Sequence, residues 1–286
     1  MSLPEIEIVQ IGSRPDENRQ IEIRQAGSGP VLFLLHGIGS ASRGWIHQFP
    51  AFAGRYRVIA WGAPGYGRST DVDSETPVPR DYALVLRDLF NALEIERAIL
   101  CGNSLGALFS AAFANIAPER VAGLFLSDAA QGHGRLSEAE REAKLRARLE
   151  PLERLGVEGM AQARAGNLLA PDVPEELRDT VAGITAEIRP VGYRRAARAL
   201  SMGDLMAEIA GYNGPMAVVC GAEDRVTPPD SNREIAASRP QASFTLIPGA
   251  GHLPYIEQPD AFNALLAGFA DPLADPLADP LMGAAR

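Results

Sequence analysis

Five consecutive residues, Gly102-Asn103-Ser104-Leu105-Gly106, are of the types that can turn a serine into a nucleophile. An apolar run ends at Cys101 just before them, and a small-residue, apolar helical stretch opens at Leu105. A serine between two glycines at a strand-to-helix junction sits in a tight turn that pushes its hydroxyl out above the sheet. It also lies at a helix N-terminus, where the peptide dipoles favour developing negative charge. A serine hydroxyl is a weak nucleophile and needs a base. The chain has four histidines: His36, His47, His133 and His252. His252 follows Gly249-Ala250-Gly251, directly after the apolar run 244–247, so a flexible loop at a strand's carboxyl end can bring it to the edge that carries Ser104. His133 is a weaker base candidate, and His47 reads as an ordinary helix residue. His36, which ends a strand before a glycine, reads as structural or substrate-contacting.

A histidine base needs a carboxylate to fix its tautomer and orientation. Asp224 follows the run 216–220, and its rival Asp128 follows the run 121–126. The chain order Ser104, Asp224, His252 is the order this kind of elbow uses, which favours Asp224. An oxyanion needs backbone N–H donors. Leu105, directly after the serine, offers one. The loop His36-Gly37-Ile38-Gly39 offers the other, with Ile38 preferred and Gly39 the alternative. Gly37 and Asn103 join His36 as candidate substrate-binding residues.

The elements that must position these groups alternate along the chain. Runs at 6–11, 20–25, 31–35, 56–61, 98–101, 121–126, 216–220 and 244–247 read as strands, the later ones apolar on both faces as in a covered parallel sheet. Helical patterns at 81–93, 105–116, 230–237 and 260–269 separate them, so the chain reads as α/β with helices on both faces of the sheet. The alternation breaks between about residues 132 and 205, a stretch rich in Arg, Glu, Ala and Leu that opens with a capping box, Ser137 and Glu140. The expected organisation is a core of 1–131 and 206–270, a helical lid at 132–205, and a disordered tail at 271–286. The tail reads DPLADPLADPL, with a proline every fourth residue, which forbids a continuous helix.

Composition limits the function classes. A chain of 286 residues, 46% hydrophobic and 22% charged, is ordinary for a globular protein. Its net charge of −9 argues against a nucleic-acid partner. No apolar run approaches membrane-spanning length, and the N-terminus has no signal-peptide pattern, so a cytoplasmic protein without a membrane partner is expected. Cys101 and Cys220 each end an apolar run and read as buried thiols rather than a disulfide. Homo-oligomer formation stays open.

Taken in order, HGIGSASRGW (36–45), WGAPGYGRS (61–69), GNSLG (102–106), GAEDRVTPP (221–229) and GAGHLPYIEQP (249–259) resemble the α/β-hydrolase superfamily over roughly residues 20–130 and 205–270. The resemblance implies a mostly parallel eight-stranded sheet, a Ser-Asp-His triad, no metal and no organic cofactor. Gly192-Tyr193, the run 196–205, TPPDSNREIA and GHLPYIEQPDAFN resemble 3-oxoadipate enol-lactonases, and Asn103 before the serine resembles the meta-cleavage-product C–C hydrolases. Those C–C hydrolases usually carry a tryptophan after the histidine where this chain has Leu253, and Gly62 stands where many relatives carry an acid. The leading expectation is hydrolysis of a small carboxylate-bearing or aromatic-derived ester or lactone. The alternatives are C–C bond hydrolysis and a non-catalytic, hydrolase-like binding protein. Lid arginines (Arg189 and Arg194 foremost, with Arg195 and Arg198) could clasp an acidic substrate, and Trp45, Phe109 and lid leucines are expected to line an apolar pocket.

Overall fold

A computed structural model describes residues 3–12 and 19–274 of the chain. Each apolar run forms a strand: β1 (Ile6–Ile11), β2 (Arg19–Ala26), β3 (Val31–Leu35), β4 (Arg57–Trp61), β5 (Ala98–Asn103), β6 (Val121–Ser127), β7 (Met216–Gly221) and β8 (Ser243–Ile247). They make one eight-stranded sheet in the order β1-β2-β4-β3-β5-β6-β7-β8. β2 pairs antiparallel with β1 and β4, and all other neighbours are parallel. The helices are α1 (Gln48–Phe52), α2 (Pro79–Ala92), α3 (Leu105–Ile116), α4 (Glu138–Leu168), α5 (Glu175–Thr185), α6 (Pro190–Met202), α7 (Leu205–Glu208), α8 (Pro229–Ala237), α9 (Pro254–Glu257) and α10 (Pro259–Ala274). The expected fold class, an α/β-hydrolase fold, is the one observed.

Strand periodicity splits the core into two layers. Along β3, Phe33 and Leu35 face one layer with Phe90, Phe109 and Phe113, while Leu32 and Leu34 face the other with Trp45, Phe125 and Phe262. Both faces are covered, which is why β5 and β7 are buried at every residue. Cys101 and Cys220 are buried free thiols.

α3 lies very close to the sheet. A Cβ on Gly106 would sit 2.0 Å from the Leu35 carbonyl oxygen, and one on Gly102 would sit 2.5 Å from the Gly106 carbonyl. Both glycines of the pentapeptide are therefore demanded by backbone approach. Gly62 lies against an acid from another strand. The buried Glu22 of β2 reaches the same space, accepting from Arg68 N–H at 3.0 Å and from the Ser42 hydroxyl at 3.4 Å.

Between β6 and β7 the chain forms α4 to α7. Ser137 and Glu140 cap α4 reciprocally: Glu140 accepts from Ser137 N–H at 2.9 Å, and Ser137 Oγ accepts from Glu140 N–H at 3.4 Å. α4 is broken at Gly156, whose backbone sits at φ 69° and ψ −174°. The segment is fastened to the core. Gly192 packs backbone to backbone on Gly65, and Thr185 Oγ1 donates to the Gly39 carbonyl at 2.8 Å.

α10 runs four residues beyond the expected boundary at 270, through Asp271–Ala274, with Pro272 inside it. Asp271 accepts from Tyr56 Oη and Arg55, each at 2.6 Å, and Leu273 packs against the second core layer. A proline in the last turn removes one helix hydrogen bond, which these contacts offset. The remainder of the expected tail, 275–286, lies outside the described residues.

Two glycine substitutions should separate in sign. Gly106→Ala forces a Cβ onto backbone and is expected to destabilise by at least about 3 kcal/mol. Gly166→Ala, in α4 with open space around it, is expected to stabilise by about 0.5–1 kcal/mol. Thermal or denaturant unfolding of the two variants checks both.

Candidate active site

β5 delivers Ser104 and α3 begins immediately after it. The Ser104 backbone is held at φ 54° and ψ −114°, a conformation L-residues rarely adopt. Its N–H donates to Ser127 O at 2.9 Å, and its carbonyl accepts from Ala107 N–H at 3.1 Å and Ala130 N–H at 3.2 Å. The turn is thus pinned to the end of β6 as well as to α3. Gly37 lies against it: a Cβ there would be 3.1 Å from Ser104 Cβ.

His252 follows β8, with Nδ1 2.9 Å from Asp224 Oδ2. The Asp224 carboxylate is saturated. Oδ1 accepts from Val226 N–H at 2.7 Å and Thr227 N–H at 3.1 Å, and Oδ2 also accepts from Thr227 Oγ1 at 2.6 Å. Burial opposes ionisation of Asp224, but His252, Thr227 and the Val226 amide outweigh it and hold the carboxyl below its ordinary range. With Nδ1 engaged by the carboxylate, Nε2 is the ring nitrogen left for proton transfer. Ser104 and His252 line one cavity of about 190 Å³.

Asp128 is fully buried and differently employed. It accepts from Gly221 N–H at 2.8 Å and pairs with the Ser127 hydroxyl at 2.6 Å. Burial, with the adjacent Asp224 charge next, pushes its carboxyl well above the ordinary range. Asp128, Cys220 and Asp224 bring ligand atoms within 4.8 Å of one another. Burial raises the Cys220 thiol above its ordinary range, and Asp224 is already engaged by His252.

The His252 loop is clamped by a residue that sequence reasoning missed. Glu257 accepts from the N–H groups of Gly251 and Leu253 and, across to the insertion, from Ala170 N–H at 2.7 Å. His252 N–H itself donates to Leu168 O at 2.7 Å. Thr227 also went unnoticed, although an Asx-type turn after Asp224 was its available signal.

Of the residues expected at the oxyanion and substrate positions, Gly37, Ile38, Gly39 and Asn103 line the cavity with Ser104. Leu105 is buried, and its N–H is the first of α3, where helix geometry leaves it without a partner inside the helix. Asn103 Nδ2 donates to His252 O at 3.1 Å, tying the serine turn to the histidine loop. His36 is a correction: it does not reach the cavity. Its Nδ1–H donates to Gly37 O at 2.8 Å and its Nε2 accepts from Ala63 N–H at 3.0 Å, so the ring holds two loops together. Burial depresses its pKa to about 4, keeping it neutral.

Arg189 and Arg194 are corrected as well. Arg189 donates to Gly65 O and Ser69 O and pairs with Asp71, while Arg194 is exposed. Arg195 pairs with Asp71 and Glu75, and Arg198 with Glu142. The insertion instead contributes Arg148, Arg164, Leu168 and Leu200 to the cavity wall. Trp45 and Phe109 are core, stacked on Tyr255 at 4.2 Å and Tyr82 at 4.1 Å. His133 lines the cavity, and His47 is exposed just before α1.

Residues 32–265 match the family model described as the alpha/beta hydrolase family. The chain belongs to the alpha/beta hydrolase family. This hydrolase is 28% identical to a 2-hydroxy-6-oxo-6-phenylhexa-2,4-dienoate hydrolase of Burkholderia cepacia, covering 91% of this chain and 94% of the relative. It is 24% identical to 3-oxoadipate enol-lactonase 1 of Acinetobacter baylyi, over 93% and 98% of the two chains. Among solved structures, a thermophilic esterase from Thermogutta terrifontis superposes with a TM-score of 0.82 at 24% identity, covering 95% of the hydrolase and all of the esterase. No helix among the described residues is long and apolar enough to cross a membrane.

Two measurements test this geometry. Asp224→Asn is expected to lower kcat about 10⁴-fold by losing the tautomer-fixing acceptor, whereas Asp128→Asn, a near-isostere whose amide oxygen can still accept from Gly221 N–H, stays within about tenfold. Hydrolysis rates of both variants at pH 7 decide between the two acids. His36 has a folded pKa below its unfolded value of about 6.5, so its contribution is present above that pH and is lost as pH falls towards 4. The melting temperature should therefore drop from pH 6.5 to pH 4, and the drop should be shallower in His36→Gln.

Proposed function

We propose that this hydrolase cleaves a small ester or lactone by nucleophilic attack of Ser104. His252 Nε2 takes the hydroxyl proton as Ser104 Oγ bonds to the carbonyl carbon, and Asp224 steadies the imidazolium that results. The N–H groups of Ile38 and Leu105 hold the oxyanion. Collapse expels the alcohol or enol oxygen, which takes the proton from His252. Water then attacks the acyl-enzyme, with the same base accepting its proton, and releases the acid and free Ser104. The observation that carries this reading is Ser104 in a strained turn on the same cavity as a histidine whose Nδ1 is 2.9 Å from a carboxylate. A cavity of about 190 Å³ favours a small substrate over a bulky aryl dienone, and Leu253 in place of tryptophan points the same way. The two buried free thiols fit a cytoplasmic setting.

A second reading, C–C bond hydrolysis with the same residues, is supported by the Burkholderia cepacia relative. Enol-lactones, p-nitrophenyl esters and ring-cleavage dienones assayed side by side separate the two. Ester or lactone turnover is expected, and turnover of dienones alone would overturn the proposal. A fluorophosphonate should label the native protein and not Ser104→Ala, whose kcat falls by at least about 10⁴-fold. Equal labelling of both proteins, or none of the native one, removes Ser104 as the nucleophile.

A further inference from the structure

Two guanidinium groups, Arg148 and Arg164, share the cavity with Ser104 and His252. They differ from the paired arginines of the insertion. Arg189, Arg195 and Arg198 each meet a carboxylate, whereas neither Arg148 nor Arg164 has an ion-pair partner among the described residues. Their shared neighbour is the Tyr193 hydroxyl, 3.0 Å from Arg164. Arg164 Nε is buried with no hydrogen-bond partner, and so is Nδ1 of His133, which lines the same cavity. Among the described residues no aspartate or glutamate lines the cavity. In a chain of net charge −9, two guanidinium groups without a carboxylate partner thus share the wall of the cavity that holds the candidate nucleophile.

Such an arrangement is unfavourable in the empty protein. Burial penalises the Arg148 cation, and Arg164 beside it repels it further. They come from opposite sides of the break at Gly156 in α4. An anion between the guanidinium groups would satisfy both, and the planar fork of arginine matches the two oxygens of a carboxylate.

We propose that Arg148 and Arg164 form an anion-binding subsite that holds a carboxylate of the substrate, so that the ester or lactone cleaved at Ser104 is an acidic one. The catalytic half of this statement rests on the serine-hydrolase reading, while the binding half rests on the cavity alone. The anionic group is fixed by arginine pairing on the insertion while the core presents the nucleophile, base and oxyanion donors. Selection between acidic and neutral esters therefore lies in binding, not in chemistry.

The test has two arms. In calorimetric titration, Ser104→Ala protein is expected to bind glutarate and not its neutral diamide, and to lose that binding when Arg148→Gln or Arg164→Gln is added. In kinetics, each single arginine variant is expected to raise KM for mono-p-nitrophenyl glutarate by at least about tenfold more than KM for p-nitrophenyl butyrate. Melting temperatures of the variants without ligand should equal or exceed the parent's, because an uncompensated charge has been removed. A merely structural arginine would lower them and slow both esters alike. Equal loss on both esters, or glutarate binding that is absent or indifferent to both arginines, overturns the subsite. Arginine-dependent glutarate binding without turnover of any ester would sink the hydrolase reading and leave the subsite standing.

Discussion

The backbone of Ser104 is held at φ 54° and ψ −114°, a conformation that costs an alanine-like residue about 1–3 kcal/mol. It survives because its surroundings leave no alternative. Gly106 lets α3 press against the Leu35 carbonyl, Gly102 lets the strand pass beneath Gly106, and hydrogen bonds to Ser127 and Ala130 close the turn from the other side. Once that turn is set, the hydroxyl must stand at the carboxyl edge of the sheet. The loops after β3, β6, β7 and β8 then have one place to converge. The first supplies Gly37 and Ile38, the second borders the cavity at Ala130 and Gln131, and the last two supply Asp224 and His252.

Protonation divides the neighbouring acids by environment rather than by type. Asp224 and Asp128 lie against each other, yet Asp224 is fed by two amides, a hydroxyl and an imidazole and stays ionised. Asp128, deeper and beside a negative charge, has its carboxyl pushed well above the ordinary range. The neutral histidine His36 plays a purely mechanical part, tying Gly37 to Ala63 so that the loop of candidate oxyanion donors is anchored at its base.

The insertion is joined to the machinery rather than draped over it. His252 N–H donates to the last turn of α4, Glu257 bridges Ala170 to the histidine loop, and Thr185 holds the Gly39 carbonyl. A shift of α4 would thus move His252 and the cavity arginines together. The break at Gly156 needs a positive φ, which glycine adopts without a Cβ penalty. That one residue separates the stretch that bears Arg148 from the stretch that bears Arg164.

Residues close to each other along the chain, or bound to a repeating pattern, were legible without coordinates. GNSLG between an apolar run and a small-residue helix announced the serine turn, short apolar runs announced the strands, and the order of Asp224 and His252 announced their partnership. These are local signals, set by sterics and by burial of both sheet faces. The arginines behaved differently. Arg148, Arg164, Arg189, Arg194, Arg195 and Arg198 share one side chain and similar surroundings in the sequence. Which of them face the cavity depends on the break at Gly156, on the close meeting of Gly192 with Gly65, and on where Asp71 and Glu142 lie. His36 was misplaced for the same reason, since its acceptor role is set by Ala63, 27 positions away in the chain. Short-range sterics written into consecutive residues determine the serine turn at Ser104. Which charges are left unpaired around it is decided only when distant segments have taken their partners.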